Sequence, residues 1–358
     1  MHRVGIDVRM ARHTGIGRYI RGFVPVLSNH SQSWTYTLIG SSKVAADFSP
    51  KVPFISCNVP IYSIFEQAAL PFAAKSCDCL HVPHYNAPLL WPKKLVVTIH
   101  DLIHFEFAKD LNPLAVSYAK FLLPLIVKRA DAIIAVSEHT KKDLVAKLNA
   151  KSGKITVIYH GVDPIFSKNE AGPKKIDAKP YFLYVGLIKS HKNLGILLQA
   201  FIQMKKKLKM PNLRLRIVGT PDRKQKIVNE WLEIMKQDSG IELTNGVSDQ
   251  QLKEIYAGAI ALVFPSLYEG FGFPLLEAMA SQIPVIAANS TSVPEVLGDA
   301  GFYFDPKSQA ELGNRMEEIL GNTNLRQNLV AKGLKRLSLF DWRQTAHKIE
   351  KVYESVLQ

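Results

Sequence analysis

The residues best suited to chemistry in this chain are two glutamates, Glu269 and Glu277, which bracket Gly270, Phe271, Gly272, Phe273 and Pro274. Carboxylates accept hydrogen bonds from sugar and ribose hydroxyls. Pro274 suits the first position of a helix, because its missing N–H would be unpaired there anyway. A helix is therefore expected to begin near Gly272 and Phe273, with free N–H groups and the positive end of its dipole exposed. Such an end favours phosphate. Gly270 and Gly272 allow a ligand to approach the backbone closely. The pattern fits a ligand rich in hydroxyls that also carries phosphate. The plainer reading, in which Glu277 only benefits from the helix dipole, stays open on spacing alone.

A second glycine-rich turn follows the first predicted strand: Thr14, Gly15, Ile16, Gly17, Arg18. Its backbone N–H groups could face an anion, or it could be a tight turn without a ligand. A dinucleotide fingerprint would need a third glycine where Ile20 stands, and no acidic residue closes the second strand, so a dehydrogenase is disfavoured. His100 ends a predicted strand and is followed by Asp101, which puts an imidazole at a strand's C-terminal end. A histidine buried against its neighbour is the alternative. His81, His84, His100 and His104 could compose a metal cluster, but nothing fixes their mutual geometry. No Asp-x-Asp pair occurs to hold a divalent ion on a sugar nucleotide. Cys57, Cys77 and Cys79 are odd in number and lack metal-site spacing, and are read as reduced, structural thiols.

These groups must be positioned by an alternation of short β-branched runs and longer helical patterns, the signature of βα units around parallel sheets. Strands are expected at 4–8, 35–39, 80–82, 95–99, 132–136 and 155–158, then at 181–185, 213–218, 241–243, 260–264, 285–287 and 301–304. Helices are expected at 17–29, 113–129, 137–149, 192–210, 250–257, 274–282 and 308–320. The tail from 325 to 357 is helical in pattern, with a break near Phe340 and Asp341. The fold class is α/β, with two doubly wound Rossmann-like domains facing a central cleft. The divisions are 1–165, a proline-rich linker at 166–180, 181–340, and a C-terminal helix at 341–358 that packs back on the first domain. In such sheets ligands bind at strand C-termini.

The chain has 358 residues, 47% of them hydrophobic, and a formal charge of +14 spread over both halves. That balance favours anionic partners: nucleic acid, an acidic membrane surface, or phosphorylated small molecules. No helix-turn-helix, zinc-finger or RNP-type segment accompanies the charge, so nucleic acid is set aside. No run reaches the roughly 20 apolar residues of a membrane span. The N-terminus reads as a strand and not as a signal peptide. The expected location is cytoplasmic; Lys128, Arg129, Lys141 and Lys142 on predicted helices are compatible with peripheral contact at the inner face of the membrane, a plainly solvated surface being the alternative.

From Phe264 to Met279, with its Glu-x7-Glu core, the sequence closely resembles family 4 retaining glycosyltransferases of the GT-B fold. Further matches lie at 14–19, 97–102, 161–166, 185–193, 247–249 and 294–300, so the resemblance covers nearly the whole chain. It is most like O-antigen mannosyltransferases that use GDP-mannose. The resemblance implies a metal-independent enzyme, without a cofactor, that moves a hexose to a glycan or lipid-linked acceptor in cell-surface polysaccharide synthesis. It assigns Glu277 to the ribose, Glu269 to the transferred sugar and Lys192 to the diphosphate. Phe271, Gly272 and Phe273 offer backbone N–H groups, and Gly15, Gly17, Gly186, Lys189, Val247 and Gly270 complete the donor side. His100 contacts the transferred sugar and, with Glu269 and Lys192, forms the catalytic set. His81, His84, Asn86 and Asp101 fall on the acceptor side. Many relatives carry Arg where this chain has Leu187 and His191, and Lys189 is the candidate replacement charge. Those two positions keep open a non-catalytic sugar-nucleotide-binding or scaffold subunit, and a UDP-sugar donor is a further alternative.

Overall fold

Strands buried at every residue form the middle of both sheets, as parallel sheets covered by helices on two faces require. Cys79–Val82, Ala132–Ala135, Tyr181–Val185 and Ala261–Phe264 are all of this kind. The computed structural model describes residues 2–30, 34–167 and 179–358. Those residues divide into two compact units, Met1–Gly161 with Phe340–Gln358, and Val162–Leu339. Most of the expected linker at 166–180 lies outside the described residues.

In chain order the strands of the first unit are β1 (His2–Asp7), β2 (Trp34–Gly40), β3 (Phe54–Ser56), β4 (Cys79–Val82), β5 (Lys94–Ile99), β6 (Ala132–Ala135) and β7 (Ile155–Val157). They form one parallel sheet in the order β3-β2-β1-β4-β5-β6-β7. The second unit contributes β8 (Tyr181–Val185), β9 (Arg214–Val218), β10 (Ile241–Thr244), β11 (Ala261–Phe264), β12 (Val285–Ala288) and β13 (Gly301–Phe304). Their order is β10-β9-β8-β11-β12-β13, again parallel throughout. In each sheet the strand order reverses once, between β1 and β4 and between β8 and β11. In doubly wound sheets that reversal is where loops part and ligands bind.

The helix Trp342–Leu357 belongs to the first unit. Asp341 caps it, accepting from the Arg343 N–H at 2.9 Å. It packs along helix Gly15–His30, where Gly22 leaves the space that Trp342 fills. Tyr36 donates to its Glu350 at 2.8 Å. Several short elements are not among the sequence expectations, and neither are the following three. β3 is a three-residue edge strand behind Pro53, too short to show a pattern. Helix Glu66–Ala73 has Pro71 inside it. Helix Lys226–Lys236 buries Val228, Trp231, Leu232 and Met235, a regular helical spacing between two loops. The three cysteines are free and buried. Among the described residues no helix is long and apolar enough to cross a membrane.

Candidate functional site

In the second unit the two loops that flank the reversal carry the groups singled out in the sequence. After β8 the chain passes Gly186, whose N–H is held by the Val218 carbonyl at 3.0 Å, while Ile188 donates to Thr220 at 3.0 Å. The Gly186 carbonyl occupies the space a side chain at Gly219 would need. Gly219 must therefore lack a side chain, and the Gly186 N–H, bonded to Val218, is turned to the neighbouring strand. A short 3-10 turn, Ser190–Lys192, follows, and Asn193 in the left-handed region (φ 55°) starts helix Leu194–Lys207.

That turn aims Lys192 at the second loop. Its Nζ lies 2.6 Å from Glu269 Oε1, with only 19% and 11% of the two side chains exposed. The loops are also tied by the backbone, Leu267 N–H donating to the His191 carbonyl at 2.8 Å. His191 is buried, and burial first, then the adjacent Lys192 and Lys189, hold its pKa down to about 3. A neutral ring cannot replace an arginine. Lys189, half-buried, is the remaining cation of this turn.

Gly272 is in the left-handed region at φ 105° and starts helix Phe273–Ala280, where the sequence places it. Glu277 is the fifth residue of that helix and is 2% exposed. Its Oε2 accepts from Tyr256 Oη at 2.8 Å, and Tyr256 is fully buried on helix Asp249–Gly258. Val247 is half-buried just before that helix, whose cap, Ser248, forms a capping box with Gln251. Gly270 and Phe271 are buried and Phe273 is half-buried. A buried carboxylate fixed on one oxygen by a tyrosine is a preorganised acceptor for a hydroxyl pair.

Sequence reasoning missed the support of this loop. Glu269 N–H donates to Thr291 Oγ1 at 3.0 Å, and Ser292 Oγ donates to the Glu269 carbonyl at 2.9 Å. Ser290 Oγ donates to the Ser266 carbonyl at 2.7 Å. The hydroxyl run Ser290, Thr291, Ser292, directly after β12 and before the helix Val293–Leu297, was the available signal.

In the first unit His100 follows β5 and is half-buried. Its Nε2–H donates to the Pro83 carbonyl at 3.0 Å, which leaves Nδ1 as an acceptor. Burial holds its pKa down to about 4, so the ring is neutral at pH 7. It packs edge-on against Tyr19, with ring centroids 5.3 Å apart. Gly15 opens helix Gly15–His30 and has free space around it, whereas a side chain at Gly17 would strike the Ala11 carbonyl. Gly17 is thus a packing requirement of the turn.

The acceptor-side expectation needs correction at three residues. His81 is fully buried, with Nδ1 at 2.7 Å from Tyr353 Oη and Nε2 at 2.9 Å from Thr98 Oγ1. Both nitrogens are used inside the unit. His84 and Asn86 are buried too, in a polar cluster with Asp7, Arg9 and Glu66. Arg9 Nη2 reaches Asp7 Oδ2 at 2.8 Å and Glu66 Oε2 at 3.0 Å. These groups brace the C-terminal end of β1 against helix Glu66–Ala73. Asp101 is half-buried and accepts from the Ile103 N–H at 3.0 Å.

Comparison with known proteins agrees with this geometry. Residues 15–166 match the model described as Glycosyltransferase Family 4, and residues 166–336 the one described as Glycosyl transferases group 1. The chain is 30% identical over 299 residues to the O-antigen chain mannosyltransferase RfbU of Salmonella typhimurium, covering 78% of this chain and 80% of that one. It is 27% identical over 283 residues to O-antigen chain mannosyltransferase B of Escherichia coli, covering 76% and 73%. Sucrose-phosphate synthase from Thermosynechococcus elongatus superposes with a TM-score of 0.80 at 19% identity, over 100% of this chain and 99% of that one. Anabaena HepE in complex with UDP-glucose gives 0.78 at 15%, over 99% and 100%. The solved structures speak to the fold alone, the GT-B pair of Rossmann-like domains.

Proposed function

Because the chain belongs to glycosyltransferase family 4, we propose that it transfers mannose from GDP-mannose, with retention and without a metal ion, to a glycan or lipid-linked saccharide in O-antigen synthesis. The observation that carries the reading is the meeting of Lys192 and Glu269 at the reversal of the second sheet. One ligand that brings a diphosphate to Lys192 brings its sugar hydroxyls to Glu269. The two O-antigen mannosyltransferase relatives support the choice of sugar.

In the proposed reaction the bond between the mannose C1 and the diphosphate oxygen breaks, and the acceptor hydroxyl oxygen bonds to C1 from the same face. The hydroxyl proton passes to the departing diphosphate. Charge that develops on the leaving group is stabilised by Lys192 and by the N-terminal end of helix Phe273–Ala280, in the manner of an oxyanion hole. Glu277 takes the ribose hydroxyls, Glu269 the mannose hydroxyls, and His100 supplies a neutral acceptor to the transferred sugar.

A thermal-shift panel with GDP, UDP and ADP tests the base. A nucleotide at 100 times its Kd adds about 2.7 kcal/mol of stability. GDP is expected to give the largest shift, and a larger shift with UDP would sink the choice of donor.

A further inference from the structure

Strands β8 and β9 end at Val185 and Val218, but the loops that follow them stay joined. Gly186 N–H donates to the Val218 carbonyl, Ile188 N–H to the Thr220 carbonyl and Asp222 N–H back to the Ile188 carbonyl, each at 3.0 Å. Ile188 thereby makes one further parallel bridge, opposite Pro221.

Past that bridge the join passes to a side chain. Gln225 Oε1 accepts from the Ser190 N–H at 2.7 Å. Ser190 is the first residue of the 3-10 turn Ser190–Lys192, and the leading N–H groups of a helical turn find no partner inside it. The turn closes on itself through Lys192 N–H to the Lys189 carbonyl and Asn193 N–H to the Ser190 carbonyl, at 2.9 and 3.0 Å. Lys189, which precedes the turn, does not cap it with its side chain. Gln225 supplies that acceptor from 35 residues away.

Gln225 is itself held on both sides of its backbone. Its N–H donates to the Asp222 carbonyl at 3.0 Å, and its carbonyl accepts from Val228 and Asn229 at 3.1 and 3.4 Å, in the first turn of helix Lys226–Lys236. That helix packs onto the one that follows the Lys192 turn, since a side chain at Gly195 would strike Trp231. The glutamine is therefore a strut between two rigid elements. The other corners of the turn are tied by Leu267 N–H to the His191 carbonyl at 2.8 Å and by Asn193 Nδ2 to the Pro306 carbonyl at 2.9 Å. Three loops thus fix one turn, and that turn carries Lys189 and Lys192, with Lys192 aimed at Glu269. A ligand that had to order the turn on binding would lose affinity.

We infer that Gln225 is a positioning residue for the donor diphosphate: through the Ser190 N–H it sets the turn that presents Lys189 and Lys192. This role rests on the reading of Lys192 and Glu269 as a clamp for a diphosphate sugar, and not on the identity of the base. Gln225→Met keeps the length of the side chain and removes the acceptor. Dissociation constants of GDP, guanosine, UDP and uridine are measured by calorimetric titration for the native chain, Gln225→Met, Lys192→Met and the double variant. Gln225→Met is expected to weaken whichever diphosphate the native chain binds by about tenfold, and to leave the affinity for its nucleoside unchanged, which also reports that the variant is folded. On top of Lys192→Met, the same substitution is expected to cost less than about threefold, because both act through one turn. A diphosphate preference that survives Gln225→Met, equal losses for diphosphate and nucleoside, or additive losses in the double variant would overturn the role of Gln225 and leave the clamp standing. A native chain that binds neither diphosphate more tightly than its nucleoside would overturn the clamp and the role of Gln225 together.

Discussion

Lys192 and Glu269 stand 77 residues apart in sequence, yet their charged atoms meet at 2.6 Å between the loops that follow β8 and β11. Each neutralises the other, so the site holds a cation and a carboxylate in place without leaving either charge bare in a partly buried position. A diphosphate sugar would draw on both partners at once.

The pair predicts a coupled loss. Glu269→Gln is expected to lower kcat/KM for donor turnover by about 100- to 1,000-fold, the usual effect of removing one preorganised polar contact to a transition state. Stability should also fall, by about 1 to 3 kcal/mol, since the substitution leaves the mostly buried Lys192 ammonium without its counter-ion. Adding Lys192→Met to Glu269→Gln should cost much less than the sum of the single losses. Independent, additive effects would show that the two residues do not share a ligand.

Tyr256 holds a buried carboxylate, Glu277, by one hydrogen bond of 2.8 Å. Tyr256→Phe is expected to lower stability by about 1 to 3 kcal/mol and to weaken nucleotide binding, with KM rising more than kcat falls. Urea unfolding and nucleotide titration read the two effects. A variant as stable as the native chain would contradict the role given to this bond.

The Ser292 hydroxyl reaches the carbonyls of both Glu269 and Phe271, at 2.9 and 3.4 Å. Ser292→Ala is expected to loosen the loop and raise KM for the donor about tenfold, a loss of about 1.4 kcal/mol. Steady-state kinetics checks this, and an unchanged KM argues that the loop is held by other contacts.

Acid should destabilise the fold. His81 and His191 are held down to about 3 and His100 to about 4, chiefly by burial. Each is neutral when folded but takes a proton when unfolded below about pH 6.5. The unfolded chain thus binds more protons between pH 6.5 and about 4, and stability falls as pH falls through that window. Glu66 acts in the opposite sense. Burial raises it to about 7, so the folded state keeps its proton between about pH 4.5 and 7 and gains from acid there. Burial holds His84 and His160 down as well, so with five histidines opposing one glutamate, the urea midpoint at pH 5 should lie below that at pH 7, and Glu66→Gln should widen the gap. A midpoint that rises on acidification would contradict these assignments.

Much of this site can be read in the sequence because its chemistry is local. Gly272, Pro274 and Glu277 share one turn-to-helix segment, so cap, helix start and carboxylate position follow from spacing alone. The strand pattern was legible for the same reason, since fully buried parallel strands read as short β-branched runs. What spacing does not carry is long-range pairing. Tyr256 lies 21 residues from Glu277 and Thr291 lies 22 from Glu269, and only the sheet order brings them together. The histidines show the opposite limit. His81 sits in an apolar strand like His100 at its strand's end, but the partner that fills its Nδ1 valence, Tyr353, comes from the last helix of the chain. That Phe72 and Phe121 are exposed was equally hidden, because an apolar helix residue reads as core until its face is known.

In the proposed reaction Lys192 and Glu269 hold the diphosphate and sugar of GDP-mannose during transfer. The most direct measurement is the rate of GDP release from GDP-mannose in the presence of a lipid-linked saccharide acceptor and excess EDTA, for the native chain and for Glu269→Gln. Turnover in the native chain is expected to be unaffected by EDTA, and the variant is expected to lose about 100-fold or more while GDP still binds. Turnover that Glu269→Gln leaves intact, or turnover seen only with a UDP-sugar, would contradict it.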